Sequence, residues 1–235
     1  MDLVTLDDLM KGGVLAVGDV LAFRGTSRVD EFIQGATLSG ISHVAVVIQE
    51  GAAAPLSILE ATGEGVTVTP VGKAVATYQE DHTCFYLPLS PAKRALVDPT
   101  KLAAYYVANA KEKYNYGGVV AAGLYDIDNP LLAKLVAHLG VHSPFGAALE
   151  KYEAFAQGLW NKVFDWNPSY RRLFCSQLVT EALLTANVSI PGPPNPRLVV
   201  PVEVCHFPIY GGAYQLNPPP SADPFKWGAA PVPQP

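Results

Sequence analysis

The front half of the chain is a series of short segments rich in β-branched and aromatic residues, separated by turns of a few residues. These segments, which predict strands, lie at residues 19–23, 43–49, 56–61, 66–71 and 83–87. The links at 50–55 and 63–65 are far too short to hold a crossover helix, which neighbouring parallel strands require. The pattern therefore predicts a central antiparallel sheet of about five or six strands.

The second half of the chain has mainly helical patterning. Residues 99–113 space their apolar side chains for one helix face, and residues 119–168 are rich in Ala and Leu, as expected for two or three helices. A compact helix is predicted from Cys175 to Ala186. Together these patterns predict an α+β fold with the Cys175 helix packed on the sheet. The predicted domain covers residues 1–215, carries 119–168 as a helical insertion, and is followed by a proline-rich tail at 216–235.

Charge and hydropathy narrow the possible partners. A net charge of -5 without a Lys/Arg run argues against a nucleic-acid partner. The apolar stretches are interrupted by charges, Gly or Pro before they reach spanning length, so we expect no stable membrane insertion. Residues 1–8 are acidic and mixed and lack the pattern of a signal peptide. We therefore expect synthesis in the cytoplasm.

The chain has three cysteines, at positions 84, 175 and 205. A small and odd number of cysteines does not fit a disulfide framework. Cys175 differs from the other two because it stands where a helix is predicted to begin. The positive end of the helix dipole favours a thiolate there, and the free amides of the first turn are placed to donate to an oxyanion. The ordinary interpretation of each cysteine is a small buried hydrophobic residue.

A histidine and a carboxylate are predicted to meet on the sheet. His43 begins the most strongly β-branched segment, and Glu60 lies on the next one. If the two strands form a hairpin about the middle of the 50–55 turn, Glu60 falls two residues from the position opposite His43. Both side chains then share a face, close enough diagonally for a carboxylate to bond an imidazole. A slip of one residue in the register would place them on opposite faces.

Four motifs occur in an order that resembles a known family. They are Gly18–Leu21, Ser42–Val46, Leu59–Val66 and Phe174–Val179. The series resembles the circularly permuted branch of the NlpC/P60 superfamily, the YiiX/YebB-like papain-fold hydrolases, in which the histidine and acid precede the cysteine. The resemblance covers roughly residues 15–118 and 169–210, including 113–116 and 200–201.

The resemblance implies a permuted papain-like fold and amide hydrolysis, often of bacterial cell-wall (peptidoglycan) peptides, without a cofactor or metal. Carried over by position, it makes Cys175 the nucleophile, His43 the base and Glu60 the orienting residue. The Cys175 backbone amide would contribute to the oxyanion hole. The partner implied is a peptide or acyl substrate. Because no export signal is present, delivery by a Sec-independent secretion system, with an immunity partner, is a further hypothesis.

The chain departs from the family pattern at several positions. Asn115 stands where the family usually has Asp, and the 119–168 insertion separates it from the cysteine helix. Gln177 stands where the family often has Glu, and we expect it to be a buried helix residue bonded to backbone. The insertion is the reason that substrate preference is not transferred with the motif.

Other functions also fit parts of the sequence. A thiol acyltransferase or a lipid or protein deacylase would use the same thiolate, and an acyl pocket would be lined by apolar residues of the insertion, such as Leu131, Leu132, Leu135 and Val136. Packing of these residues against the core is the simpler interpretation. A catalytically inactive binding module is a third possibility, against which the filled Cys, His and Glu positions argue.

A metal site is an alternative of a different class. His82 with Cys84, and Cys205 with His206, would supply four N/S donors to zinc if the two segments met. The pairs lack the usual spacing of a zinc site. His138 and His142 are one helical turn apart, and a solvated helix face explains them better than a ligand site does.

Overall fold

A computed structural model describes residues 2–26, 28–37, 39–51, 53–79, 83–114, 172–192, 195–197 and 199–216. The predicted insertion at 119–168 and residues 217–235 lie outside the described residues. The strands are β1 (Asp2–Val4), β2 (Val20–Arg24), β3 (His43–Ile48), β4 (Ser57–Thr62), β5 (Gly65–Pro70), β6 (Thr83–Leu87), β7 (Lys113–Tyr114), β8 (Arg172–Leu173) and β9 (Tyr214–Leu216). The helices are α1 (Leu6–Lys11), α2 (Arg28–Thr37), α3 (Val71–Gln79), α4 (Pro91–Arg94), α5 (Pro99–Asn109), α6 (Cys175–Thr185) and α7 (Pro201–Cys205).

Seven of the described strands form one sheet in the order β1-β9-β6-β2-β3-β4-β5. Every neighbouring pair in it is antiparallel except β1 and β9 at one edge, which are parallel. Strands β7 and β8 form a separate parallel pair. The mixed α+β architecture and the antiparallel sheet predicted from the sequence are confirmed. The expected five or six strands become seven because three-residue segments at 2–4 and 214–216 extend the sheet, and runs this short carry no usable periodicity.

Strand β3 is buried along its whole length because helices cover both faces of the sheet. Helices α5, α6 and α7 contribute to a first core on one face, together with Val44 and Val46. Residues of α3 contribute to a second core on the other face, with Ala45 and Val47. Successive residues of a strand point to opposite faces, so a strand enclosed on both sides is apolar at nearly every position.

Helix α6 packs on β3 and β4, as the sequence predicts. Leu178, Ala182 and Leu183 are fully buried against the first core. The Ser176 hydroxyl donates to the Val199 carbonyl at 2.8 Å, which ties the first turn of the helix to the segment before α7. The N-terminus of α6 is therefore held both by apolar packing and by a buried hydrogen bond.

The turn between β4 and β5 requires a glycine at position 65. Gly65 has a φ of 113°, a conformation that disfavours side chains, and a Cβ there would lie 2.6 Å from the Glu112 carbonyl oxygen. The next amide, of Val66, donates to that same oxygen at 3.1 Å. This close approach sets the start of β5, and with it the residues that stand beside β4.

Two short helices depart from the sequence interpretation. The strand predicted at 66–71 ends at Pro70, and α3 follows it, burying Val71, Ala74 and Val75 at helical spacing. The sequence pattern predicts no element at 201–205, where the structure has α7 with Pro201 at its first position. Both helices are nine residues or shorter, so they present too few turns for periodicity to stand out.

Candidate active site

His43 lies at the start of β3, where the backbone is fixed by neighbouring β2. Phe23 is its partner in register, and the two rings are 5.7 Å apart between centroids. The preceding residue, Ser42, is buried, and its hydroxyl oxygen accepts from the Gly25 amide at 2.9 Å. The imidazole is itself buried, with 9% of the residue exposed.

Glu60 meets His43 as the hairpin register predicts. Val46 pairs with Leu59 and Ile48 with Ser57, which places Glu60 two residues from the position opposite His43. The distance from His43 Nε2 to Glu60 Oε2 is 2.9 Å. The predicted contact between this histidine and this carboxylate is therefore confirmed, while the catalytic roles of the two residues stay predictions.

The second oxygen of the Glu60 carboxylate is bonded by a residue of the adjacent strand. The Thr69 hydroxyl donates to Glu60 Oε1 at 3.0 Å. Sequence reasoning missed Thr69. The 63–65 turn, treated as the 50–55 turn was, would place Val68 opposite Glu60 and Thr69 on the other face. The observed register is centred between Gly63 and Glu64, which places Thr67 opposite Glu60 and Thr69 diagonally beside it.

Cys175 is the first residue of α6, and its thiol lies close enough to the His43 ring to raise the pKa of that ring. Because Nε2 of that ring faces Glu60, the remaining nitrogen, Nδ1, is the one available to the thiol. The cysteine is fully buried. The structure thus brings together all three residues that the sequence singled out, although they come from strand, strand and helix and span more than half of the chain.

The electrostatics of the cluster favour a charged imidazole. Burial by itself would lower the pKa of His43, but the hydrogen bonds with Cys175 and Glu60 outweigh it and raise the pKa from 6.5 to about 10. A histidine held between a carboxylate and a thiol accepts the thiol proton readily, because the imidazolium that results is stabilised on both sides. The arrangement can therefore hold a thiolate–imidazolium pair.

The start of α6 adds a positive potential at the sulfur. Phe174 is the N-cap residue and provides no side-chain cap, so the first-turn amides are left for another acceptor. The positive end of the helix dipole lies at the Cys175 sulfur. An oxyanion formed at a carbonyl bound to Cys175 would lie within the reach of these same amides.

The other two cysteines lie in different surroundings. Cys84 belongs to the second core, where burial raises the pKa of its thiol far above the ordinary range. Cys205 belongs to the first core, and burial, with a contribution from charge on Cys175, raises its pKa to about 12. Among the residues that the structure describes, neither thiol has a basic partner such as His43 provides for Cys175.

The separation of Cys84 and Cys205 onto opposite faces of the sheet argues against the zinc alternative. Within the described ranges, no three or more His, Cys, Asp or Glu side chains are grouped as metal ligands. His82, which the alternative also requires, lies outside the described residues, as do His138 and His142. The apolar residues proposed to line an acyl pocket, from Leu131 to Val136, lie outside them as well.

Gln177 does not bond to backbone as expected. Its amide donates to Glu181 Oε1 at 2.9 Å, and the other oxygen of Glu181 accepts from the Tyr105 hydroxyl at 2.9 Å. The expectation is wrong because the backbone carbonyls near a helix start are already used within the helix. A carboxylate one turn further along offers Gln177 a stronger, charged acceptor.

Comparisons with known proteins give a weak likeness to a solved structure. No protein-family model matches the chain, and no curated protein matches it. The solved structure of the metalloprotein yiiX from Escherichia coli O157:H7 is similar with a TM-score of 0.36 and 19% identity, over 52% of this chain and 80% of that one. A likeness at this level carries no argument about fold, metal or activity. Across the part of the chain that is described, no helix has the length and apolar character to cross a bilayer.

Proposed function

We propose that this chain is a cysteine hydrolase of permuted papain-like fold. Cys175 is the nucleophile, His43 the general base and Glu60 the residue that orients His43. The observation that carries the proposal is the Cys175 thiol beside a His43 ring that is itself bonded to the Glu60 carboxylate at 2.9 Å. A thiol bonded to a histidine that is held in turn by a carboxylate is the arrangement that activates a nucleophile for acyl transfer.

The reaction begins when His43 Nδ1 takes the proton of the Cys175 thiol. The thiolate attacks the carbonyl carbon of an amide, and the first-turn amides of α6 stabilise the oxyanion that forms. His43 then gives its proton to the leaving amine as the carbon–nitrogen bond breaks, which leaves a thioester on Cys175. Water attacks the thioester, His43 takes the water proton, and the carbon–sulfur bond breaks to release the acid and restore the thiolate.

The burial of the cluster has two consequences for this mechanism. Cys175 and His43 are enclosed, so a substrate carbonyl reaches the sulfur only after neighbouring side chains move apart. The same enclosure limits water at the cluster, which strengthens the interactions between the charged groups and the reacting carbonyl. Substrate binding must therefore open the site, and catalysis benefits once it has closed around the substrate.

The proposed substrate is a peptide amide of the bacterial cell wall, which the resemblance of the four motifs supports. Thioester chemistry on Cys175 is shared by thiol acyltransferases and by lipid and protein deacylases, so acyl esters are the second class of substrate to test. A Sec-independent secretion system would deliver a cell-wall enzyme of this kind to its substrate, and an immunity partner would protect the producing cell.

The experiment that tests the proposal is the capture of the acyl-enzyme. Purified full-length protein is mixed with cell-wall peptides and with short-chain activated acyl esters, and intact-mass spectrometry follows both the protein and the released products. We expect an adduct of one acyl group on Cys175, together with turnover. Cys205→Ser is the matched control because it removes another buried thiol of the first core, and it should retain both signals.

Cys175→Ala should lose both the adduct and the turnover. A folded wild-type protein that forms no adduct and releases no product with either substrate class would overturn the hydrolase proposal. The fold would then serve as a binding module.

A further inference from the structure

The Glu60 carboxylate is held from two sides by residues of its two neighbouring strands. Oε2 is 2.9 Å from His43 Nε2 on β3, and Oε1 accepts the Thr69 hydroxyl of β5 at 3.0 Å. A carboxylate bonded through only one oxygen remains free to rotate about its last torsion, which has a broad energy profile. A second bond at the other oxygen fixes the plane of the group, and with it the direction in which Oε2 points.

We propose that Thr69 is a positioning residue that fixes the Glu60 carboxylate in the orientation required by its bond to His43, and so sustains the reactivity of Cys175. The inference rests on the proposed function and extends it by one residue. Thr69 contacts neither the thiol nor a reacting atom in this account, and it acts through Glu60 alone.

The sheet explains why a threonine serves this role. Thr69 pairs with Ile58, so it stands diagonally beside Glu60, at the separation where long side chains of one face meet. A β-branched side chain has little freedom at χ1, which keeps the hydroxyl in place without further support. Thr69 is only half-buried, so its replacement leaves the core intact.

Thr67 provides a matched control on the same strand and face. It lies directly opposite Glu60 in register and is half-buried like Thr69, yet among the described residues its hydroxyl forms no hydrogen bond to that carboxylate. Thr→Val at either position removes a hydroxyl while keeping the branched shape. Any general loss of stability from placing Val on this strand therefore appears in both variants. A positioning effect appears only in Thr69→Val.

The test compares the rate of iodoacetamide labelling at Cys175 in wild type, Thr69→Val, Thr69→Ser and Thr67→Val. A hydrogen bond to a charged group contributes enough for its loss to slow labelling about three- to tenfold in Thr69→Val at neutral pH. Thr69→Ser should recover most of the rate, and Thr67→Val should match wild type. The imidazole titration of His43, followed by NMR, should move to lower pH in Thr69→Val only, which a purely structural defect would not cause.

A double variant separates action through Glu60 from other routes. In a Glu60→Gln background, Thr69→Val should have no further effect on labelling, because the charged group that it orients is gone. Equal rates in Thr69→Val and Thr67→Val, with His43→Gln still slowing the reaction, would overturn this inference and leave the proposed function standing. No effect of His43→Gln would overturn both.

Discussion

Two buried carboxylates of this sheet have opposite kinds of partner. Asp19, at the start of β2, is fully buried and accepts two hydrogen bonds from Arg94 Nη2, at 2.7 and 2.9 Å. It also accepts from the Tyr86 hydroxyl and from the amides of Leu89 and Ala16. Glu60 is almost as deeply buried, but its charged partner is a histidine that also contacts a thiol.

The difference between the partners separates a structural site from the proposed reactive one. An arginine keeps its proton at every pH a protein experiences, so the Asp19 network has a fixed charge and joins β2, β6 and α4 permanently. A histidine gains and loses a proton, so the Glu60 cluster can move one between the thiol and the ring. Burial and hydrogen bonding alone do not distinguish the two sites. The two sites differ in whether the partner of the carboxylate can gain and lose a proton.

The largest expected effect is on stability, at the Asp19 network. Asp19→Ala leaves the charge of Arg94 and several buried donors without their acceptor, and we expect a loss of about 3 kcal/mol in the free energy of unfolding. This is the low end of the range for breaking a buried pair, because the Arg94 side chain is 33% exposed. Denaturant unfolding measures it. Labelling of Cys175 in the folded fraction should stay at the wild-type rate.

Asp7 provides the control for that variant, because its ion pair with Lys11 is exposed to solvent. Asp7→Ala should leave the unfolding transition where it is in wild type. A small effect of Asp19→Ala on stability, or a large one on thiol reactivity, would remove the distinction between the two networks.

A somewhat smaller effect is expected at the reactive cluster. His43→Gln removes the base but keeps a polar side chain, and the iodoacetamide labelling rate of Cys175 should fall about 100-fold, near the low end for loss of a general base. Mass spectrometry of a time course at neutral pH provides the rate. A labelling rate within twofold of wild type would mean that His43 does not activate the thiol.

The effect with the most definite sign is a dependence of stability on pH. The pKa of His43 rises from 6.5 to about 10 on folding, so between those values the ring holds a proton in the folded protein that it loses in the unfolded chain. The stabilisation is complete below pH 6.5 and is lost as the pH rises through the folded value, with a slope of at most about 1.4 kcal/mol per pH unit.

The measurement is the difference in unfolding free energy between wild type and His43→Gln, taken at several pH values. That difference should shrink from pH 6.5 toward 10. The charge of Arg94 is constant, so we expect this residue to cause no comparable decline in the unfolding free energy. A wild-type advantage that grows with pH would contradict the charged imidazole. A constant advantage would mean that the ring takes its proton from the Cys175 thiol, because the pair then binds no additional proton.

How far the sequence could predict these two sites depends on the distance along the chain between their parts. The contact between His43 and Glu60 was predictable because a short turn sets the register of a hairpin, and a two-residue period sets the face. Thr69 was not predictable by the same reasoning, because the register of β4 and β5 is centred between Gly63 and Glu64 and not on the middle of the 63–65 turn. All three residues lie on consecutive strands.

The other parts that escaped prediction depend on packing between distant segments. Arg94 is 75 residues from Asp19 and reaches it only because α4 folds back over the end of β6. The pairing of 214–216 with β1 and β6 is likewise non-local. The approach of Cys175 to His43 was anticipated through the family resemblance, since no periodicity relates a helix start to a strand 132 residues earlier.

The most direct test of the central claim is the pH profile of Cys175 alkylation, measured beside a free thiol such as glutathione. Glutathione labelling rises roughly tenfold per pH unit below about pH 8.5, because only its thiolate reacts. If Cys175 forms a thiolate–imidazolium pair with His43, its labelling rate should be nearly constant from pH 6.5 to 8.5 in wild type. It should regain the slope of a free thiol in His43→Gln. A wild-type profile that climbs in parallel with glutathione would contradict the activated thiol.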